Sequence, residues 1–257
     1  MVIVATWAYR LWQPAPPTLT SVGTRAGASA TEAEDRTFVL GVGAQKAGTT
    51  WLHAHLHASP ECAAGFMKEY HVWDALDVAA MGHFRDQATK RARRAITRVE
   101  RGLPGNANTL RLASFYVDPE AYFDYFELLL YRPGIRIATD ITPSYSLVSA
   151  DRLAAVRDGF ARRGIRVVPV FLMREPAERI WSAVRMYQRR GRRDKPAEER
   201  VLEVYDQPAF ELRTRYEHTM AALESVFGRE NVFYALYERL FDDATVRELC
   251  AALGVTP

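Results

Sequence analysis

Along the chain, short apolar runs that close on turn residues alternate with stretches of helical period. Phe38-Val-Leu-Gly-Val-Gly43 is apolar throughout and ends in glycine, as a strand buried on both faces does. A Gly/Thr-rich turn follows. A helix is predicted from about Thr49, with Leu52 and Leu56 four apart on its inner face and Ser59-Pro60 as its stop. Residues 68–74 read as a polar loop and residues 102–108 as a turn-rich break. Asp118-Pro119 starts a helix through Leu130, with Tyr122, Phe123 and Phe126 on its apolar face. Residues 135–138 predict a second short strand, 151–162 a helix, and 165–172 the clearest strand of all. Pro169 inside that strand lacks an N–H and predicts an edge position or a bulge. Helices over 176–190, with Pro at the first turn, and over 210–227 are followed by a strand at 232–236 and a helix at 241–253. There is no internal repeat. Strands alternating with helices predict an α/β fold, three layers around a mostly parallel sheet.

Composition narrows the class further. Apolar residues at 48% and charged residues at 25% exclude disorder, collagen and coiled coil for the chain as a whole. A net charge of +3 is too small to point to nucleic acid. Two cysteines, Cys62 and Cys250, exclude a disulfide scaffold and a four-thiolate zinc site. No run of about 18 apolar residues appears, so stable membrane insertion is not expected. Met1 to Trp12 is apolar but short, broken by Arg10, and lacks the basic start and cleavage site of a secretory signal. Pro14, Pro16 and Pro17 then lead a stretch rich in Ser, Thr, Ala and Gly. The expectation is a flexible leader over residues 1–37 and one domain over 38–257. A cytoplasmic location is expected, with the N-terminal segment a candidate membrane-surface contact.

The candidate chemistry begins at Gly43-Ala-Gln-Lys46-Ala-Gly48-Thr49-Thr50. Between a strand and a helix, such a loop aims successive backbone N–H groups at an anion, and the helix N-terminus adds partial positive charge. The glycine spacing is that of a nucleotide-binding phosphate loop, but the lysine is displaced. The nucleotide motif sets Lys directly after the second Gly. Here Thr49 stands there and Lys46 lies inside the loop. A nucleotide hydrolase also needs an acid at a neighbouring strand end to hold Mg²⁺. The clearest strand instead runs into Met173-Arg174-Glu175, and a cation there favours another phosphate over a metal. Arg174-Glu-Pro176-Ala-Glu-Arg179-Ile-Trp-Ser182 then sets a strand-end arginine and a helical serine eight residues apart. Both can face one phosphate at the carboxyl edge of the sheet.

Together these two motifs resemble the sulfotransferases that use 3′-phosphoadenosine 5′-phosphosulfate (PAPS). Lys68-Glu69-Tyr-His71-Val-Trp73-Asp74 is similar to a segment of the carbohydrate and heparan-type branch, Thr142-Pro-Ser-Tyr145 to a segment near the acceptor cleft, and Tyr237-Glu238-Arg-Leu240 to the closing strand–helix junction. The resemblance implies that Gln45, Lys46, Ala47, Gly48, Thr49, Thr50 and Trp51 hold the 5′-phosphosulfate side of the donor. It implies that Arg174 and Ser182 hold the 3′-phosphate, and that Lys68, Thr142 and Tyr145 lie toward the acceptor, a small molecule or glycan, in particular a carbohydrate or glycolipid. The product nucleotide would be adenosine 3′,5′-bisphosphate. A late basic, glycine-containing loop that covers the nucleotide in family members is not found up to Pro257, and Arg213 and Arg215 are candidate replacements.

Sulfuryl transfer builds negative charge on the bridging oxygen, which Lys46 is suited to stabilise, and it requires no metal. The acceptor must lose a proton. The branch resembled places that base at Glu69; His71 competes, because other branches use a histidine. His53 and His57 share a helix face at metal-pair spacing, but no third ligand is near, so an exposed face is expected. Two basic clusters, Arg85 to Arg101 and Arg189, Arg190, Arg192, Arg193 and Lys195, read as solvated faces or as a rim that attracts an anionic acceptor. Two other functions stay open on the residues alone: a Mg²⁺-dependent phosphate-loop kinase, and a non-catalytic module that binds anionic polymer.

Overall fold

The computed structural model describes residues 36–191 and 195–256. Residues 1–35 of the predicted leader, and Arg192 and Arg193 of the second basic cluster, lie outside the described residues; Thr37, the last residue of that predicted leader, already belongs to the first strand. Among those described, five strands form one all-parallel sheet: β1 (Thr37–Gly43), β2 (Cys62–Ala63), β3 (Ile137–Ile141), β4 (Arg166–Met173) and β5 (Phe233–Leu236). Their order is β2-β3-β1-β4-β5, so β1 is central. Every residue of β1 is buried, which is why its sequence shows no polar alternation.

Helices flank this sheet. They are α1 (Thr49–Ala58), α2 (Val72–Asp77), α3 (His83–Glu100), α4 (Ala107–Val117), α5 (Pro119–Leu130), α6 (Ala150–Ala161), α7 (Pro176–Arg189), α8 (Ala197–Val204), α9 (Pro208–Glu211), α10 (Tyr216–Phe227) and α11 (Asp243–Leu253). The capping reasons are local. Asp118 accepts the Glu120 N–H ahead of α5, Ser149 accepts the Arg152 N–H ahead of α6, and Glu175 accepts the Glu178 N–H ahead of α7. The core is aromatic where β1 meets α5 and α6. Phe38 stacks on Phe160 at 4.1 Å and meets Phe126 edge-on at 4.8 Å.

Several elements depart from the sequence prediction, each for a physical reason. Pro169 is not on an edge strand, because β4 lies between β1 and β5. Its β5 ladder begins only at Val170, one residue later, so the side toward β5 has no partner strand at Pro169. The irregularity in the β1–β4 register falls on β1, between Gly41 and Gly43. The predicted loop 68–74 turns into α2 at Val72, and α4 rises out of the predicted break, capped by the Asn106 side chain. The single helix predicted over 210–227 is split into α9 and α10. The Phe210 carbonyl, which a continuous helix would give to the Thr214 N–H, instead accepts from the Thr214 hydroxyl and from the buried Arg179 guanidinium. α8 was not anticipated either; it packs Val204 and Val201 against Ile180 and Val184 of α7.

Phe160 is fully buried at the junction of β1, α5 and α6. Phe160→Ala is expected to cost about 3–5 kcal/mol, the usual range for an emptied aromatic site. Urea unfolding should show this as a lower midpoint with an unchanged slope.

Candidate active site

The site begins where β1 ends. Gly43 takes a φ of 144°, Lys46 of 72° and Gly48 of 94°, so the chain folds back on itself before α1. A Cβ at Gly48 would run into Leu240, which fixes glycine there. Lys46 is not glycine, and holding it in the left-handed region costs roughly 1–3 kcal/mol. The loop accepts this cost while Lys46 lines a cavity of about 650 Å³ at the carboxyl edge of the sheet. Gln45, Gly48, Thr49, Thr50 and Trp51 line the same cavity, whereas Ala47 is fully buried and faces the core.

Two other parts of the chain reach this cavity. Arg174 and Ser182 arrive from the end of β4 and from α7, and they also line an adjoining 250 Å³ pocket with Trp181, Arg185 and Arg189. The Arg174 guanidinium lies 4.4 Å from the Tyr237 ring centre, donates to the Lys46 carbonyl at 3.4 Å, and pairs with Glu178 at 3.1 Å. Lys68, Glu69 and His71 arrive from the segment between β2 and α2. Lys68 Nζ donates to Glu69 Oε1 at 2.6 Å and reaches Thr49 Oγ1 at 3.4 Å. His71 Nε2 is 3.5 Å from Glu69 Oε2, its Nδ1 is 2.8 Å from Asp74 Oδ2, and its ring stacks on Phe84 at 3.5 Å.

These contacts set the charges. Burial pushes the Glu69 carboxyl up, but hydrogen bonds from His71 and Lys68 outweigh it and hold its pKa at about 2. Burial opposes the His71 cation, but hydrogen bonds to Asp74 and Glu69 raise its pKa to about 9. At neutral pH Glu69 is therefore ionised and His71 protonated. Lys46 is held below the usual lysine range, by burial first and then by Arg189, Arg174, Arg190 and Lys68.

Thr142 and Tyr145 are not brought to the cavity. Both are buried and hydrogen-bond to Asp140, at 2.6 and 2.7 Å. Their neighbours Pro143 and Ser144 line the cavity instead. The predicted exposed histidine face is also corrected. Only His57 is exposed; His55 stacks on Trp51 at 4.9 Å, and the His53 Nδ1 is buried without a partner. Burial, then Lys68 and His57, hold the His53 pKa at about 4, so it is neutral. Among the described residues no cluster of His, Cys, Asp and Glu suits a metal ion.

The basic clusters divide. Arg190 lines the cavity and Arg189 its adjoining pocket, but the cations of α3 are exposed and only the first turn of that helix, through Phe84, reaches in. Of the two arginines expected near a covering loop, Arg213 lines the cavity, whereas Arg215 is paired with Glu211 and Glu217 outside it. Residue-by-residue reasoning missed Met81, Phe84, Met186, Tyr237 as a ring and Phe241. The only signal for the last two was their position at the junction after β5. Phe241 meets Trp51 edge-on at 5.5 Å and Tyr237 at 5.4 Å, which makes an aromatic wall.

A family model described as "Sulfotransferase family" matches residues 39–256. Among solved structures, the chain is similar to a sulfotransferase from Alicyclobacillus acidocaldarius. The two are 19% identical, with a TM-score of 0.56 over 86% of this chain and 82% of that one. It is also similar to the sulfotransferase domain of the Synechococcus PCC 7002 olefin synthase, at 16% identity and a TM-score of 0.50 over 86% of this chain and 74% of that one. At these identities the likeness speaks for the fold. No curated protein matches the sequence. With the family model spanning the phosphate-type loop, the Glu69–His71 segment and the Arg174–Ser182 element alike, the chain belongs to the sulfotransferase family and is an enzyme of that class.

Proposed function

We propose that this cavity moves a sulfuryl group from PAPS to a hydroxyl or amine of a small-molecule or glycan acceptor, a carbohydrate or glycolipid in particular. The observation that carries the reading is the meeting in one cavity of Lys46, Glu69 and the Arg174–Ser182 pair, from three separate stretches of chain. The loop amides with Thr49 and Thr50 would hold the phosphosulfate, and Arg174 with Ser182 the 3′-phosphate. The wall of Trp51, Tyr237 and Phe241 offers faces on which a purine can stack. In a Mg²⁺-dependent kinase a strand beside the loop ends in an acid that faces the phosphates; here β4 runs into Arg174, and the acid at the end of β3, Asp140, is fully buried and does not line the cavity, which counts against that reading. The domain doing this work is taken as residues 38–257. Cys62 and Cys250, both free and buried, suit a reducing compartment such as the cytoplasm. No helix among the described residues is long and apolar enough to cross a membrane.

The transfer balances as follows. The acceptor oxygen or nitrogen forms a bond to sulfur, the bond from sulfur to the bridging oxygen breaks, and the nucleotide leaves as adenosine 3′,5′-bisphosphate. Glu69 takes the acceptor's proton, and Lys46 faces the charge left on the bridging oxygen. His71, already protonated, has no free lone pair to serve as the base and instead orients Glu69 from 3.5 Å. Lys68 lies between Glu69 and Thr49, so its shift toward bound sulfate would remove one of the two hydrogen bonds that hold the carboxyl pKa down and make it a stronger base once the donor is in place.

Glu69→Gln keeps the shape but cannot take a proton. Turnover of PAPS with a surrogate hydroxyl acceptor is expected to fall by about 10²–10⁴-fold while affinity for the bisphosphate stays near wild type. His71→Ala should cost less. Near-normal turnover in Glu69→Gln with collapse in His71→Ala would exchange the two roles. The His71 charge also sets a stability window. Its folded pKa lies above the ordinary 6.5, so its contribution is complete below 6.5 and is lost as pH rises through about 9. Denaturant midpoints should fall across that interval in the wild type and change less in His71→Asn.

A further inference from the structure

The loop that carries Glu69 and His71 is stapled to the end of β3 through two buried hydroxyls, and one carboxylate controls both. Asp140 is fully buried. Its Oδ1 accepts from Thr142 Oγ1 at 2.6 Å, and its Oδ2 accepts from Tyr145 OH at 2.7 Å and Tyr122 OH at 2.9 Å. The first two hydroxyls are acceptors in their turn. Thr142 Oγ1 takes the Tyr70 N–H at 3.0 Å, an N–H that also lies 3.5 Å from Asp140 Oδ1, and Tyr145 OH takes the Val72 N–H at 3.2 Å. Those two amides flank His71, which is held at a φ of 54°, a conformation rare outside glycine. From the other side Tyr116 OH lies 3.3 and 3.1 Å from the carbonyls of Tyr70 and His71, and the Ile141 N–H donates to the Lys68 carbonyl at 3.2 Å.

We propose that Asp140 is a positioning residue for the Glu69–His71 pair: by taking the protons of Thr142 and Tyr145, it turns the lone pairs of both hydroxyls toward the amides on either side of His71. A hydroxyl has one proton to give. Once that proton is committed to Asp140, the oxygen meets the amide only as an acceptor, and the left-handed turn at His71 is held from both flanks. This assigns Thr142 and Tyr145 to the support of the site, one layer behind the residues that line it. The inference rests on the proposed function in counting Glu69 and His71 as active-site groups.

An asparagine at 140 breaks the arrangement without changing its shape. Its NH₂ must face either Thr142 or the two tyrosines, and the hydroxyl it meets then loses the acceptor that fixed its proton, so its lone pairs are no longer aimed at the amide by Asp140. Protonation of Asp140 does the same. The phenols of Tyr122 and Tyr145 donate to this carboxyl, those of Tyr70 and Tyr116 lie within reach of its charge, Asp74 is a further acid beyond Tyr145, and no cation among the described residues is paired with it. Burial raises its pKa to about 6, against the hydrogen bonds from Thr142, Tyr145 and Tyr122. The relay would therefore fail on acidification through about 6, a range in which Glu69 is still ionised. A carboxyl raised above the ordinary 3.8 adds stability as pH falls from about 6 to 3.8, so this loss of alignment is separate from unfolding.

The His71 ring reports on the clamp without an acceptor or a turnover assay. Its proton is held by Glu69 and Asp74, so displacement of the segment lowers its pKa. Titration followed by NMR of the ring protons should give about 9 in the wild type. The midpoint should drop toward the ordinary 6.5 in Asp140→Asn and Thr142→Val. It should stay near 9 in Thr142→Ser, which keeps the hydroxyl, and in Tyr122→Phe, which spares the relay. Wild-type midpoints in both Asp140→Asn and Thr142→Val, or a fall in Thr142→Ser as large as in Thr142→Val, would overturn the proposal. If Asp140→Asn does not fold, the Thr142 pair alone decides. Calorimetry of the same variants with adenosine 3′,5′-bisphosphate judges the donor reading separately: a wild type that fails to bind it refutes that reading while the His71 titration still tests the clamp.

Discussion

Positive charge without enough negative charge to answer it is the constraint around which this protein is organised. Lys46, Lys68, Arg174, Arg190 and Arg213 line one cavity, with Arg189 and Glu178 in the pocket beside it, and Glu69 is the only carboxylate among the described residues that line the cavity itself. The repulsion is felt at Lys46, whose proton burial and four neighbouring cations make easier to lose. A folded chain gains nothing from such a cluster until an anion enters, and a multiply charged anion then relieves several unfavourable terms together. The proposed chemistry uses that charge. On this reading a donor with phosphate at one end and phosphosulfate at the other would supply charge at two separated points, and the leaving group's growing charge would fall where Lys46 is held.

The fold supplies the geometry that makes this arrangement rigid. Parallel strands deliver their carboxyl ends to one edge, and there β1, β3 and β4 each release a functional segment: the left-handed loop after β1, the Asp140–Tyr145 network at β3, and Arg174 after β4. The segment that carries Glu69 has no long strand of its own to fix it. It is fastened to the β3 end by backbone and hydroxyl hydrogen bonds, which explains why so much buried polarity collects at Tyr70, Asp140, Thr142 and Tyr145. Anchoring a loop through buried groups keeps it aligned while the atoms it presents to the cavity stay free.

Much of this was legible in the residues. The glycines at 43 and 48, the displaced Lys46 and the Arg174–Ser182 spacing are local signals, and local signals survive reading in one dimension. Thr142 and Tyr145 illustrate the limit. Their type and neighbourhood fit an acceptor cleft, but whether a hydroxyl faces a cavity or a buried carboxylate depends on Asp140 and Tyr122 in the folded packing. Pro169 failed for a similar reason, since only the start of the β5 ladder at Val170 shows that the side toward β5 is unpaired there. The break between α9 and α10 depends on Arg179, more than 30 residues earlier in sequence, reaching the Phe210 carbonyl. The aromatic wall of Trp51, Tyr237 and Phe241 unites residues from both ends of the domain that no spacing rule connects.

On the proposed function, the cavity recognises a nucleotide bearing phosphate at both ends, through Lys46 at one and Arg174 at the other, without a divalent ion. Calorimetry in EDTA with adenosine 3′,5′-bisphosphate and adenosine 5′-monophosphate, on the wild type and on Arg174→Ala, tests it directly. The wild type is expected to bind the bisphosphate more tightly than the monophosphate. Arg174→Ala should erase most of that difference, about 1.5–3 kcal/mol for one charged hydrogen-bonding group, and leave monophosphate binding nearly unchanged. Equal affinity for the two nucleotides, equal losses for both in the variant, or binding that appears only when Mg²⁺ is restored would contradict it.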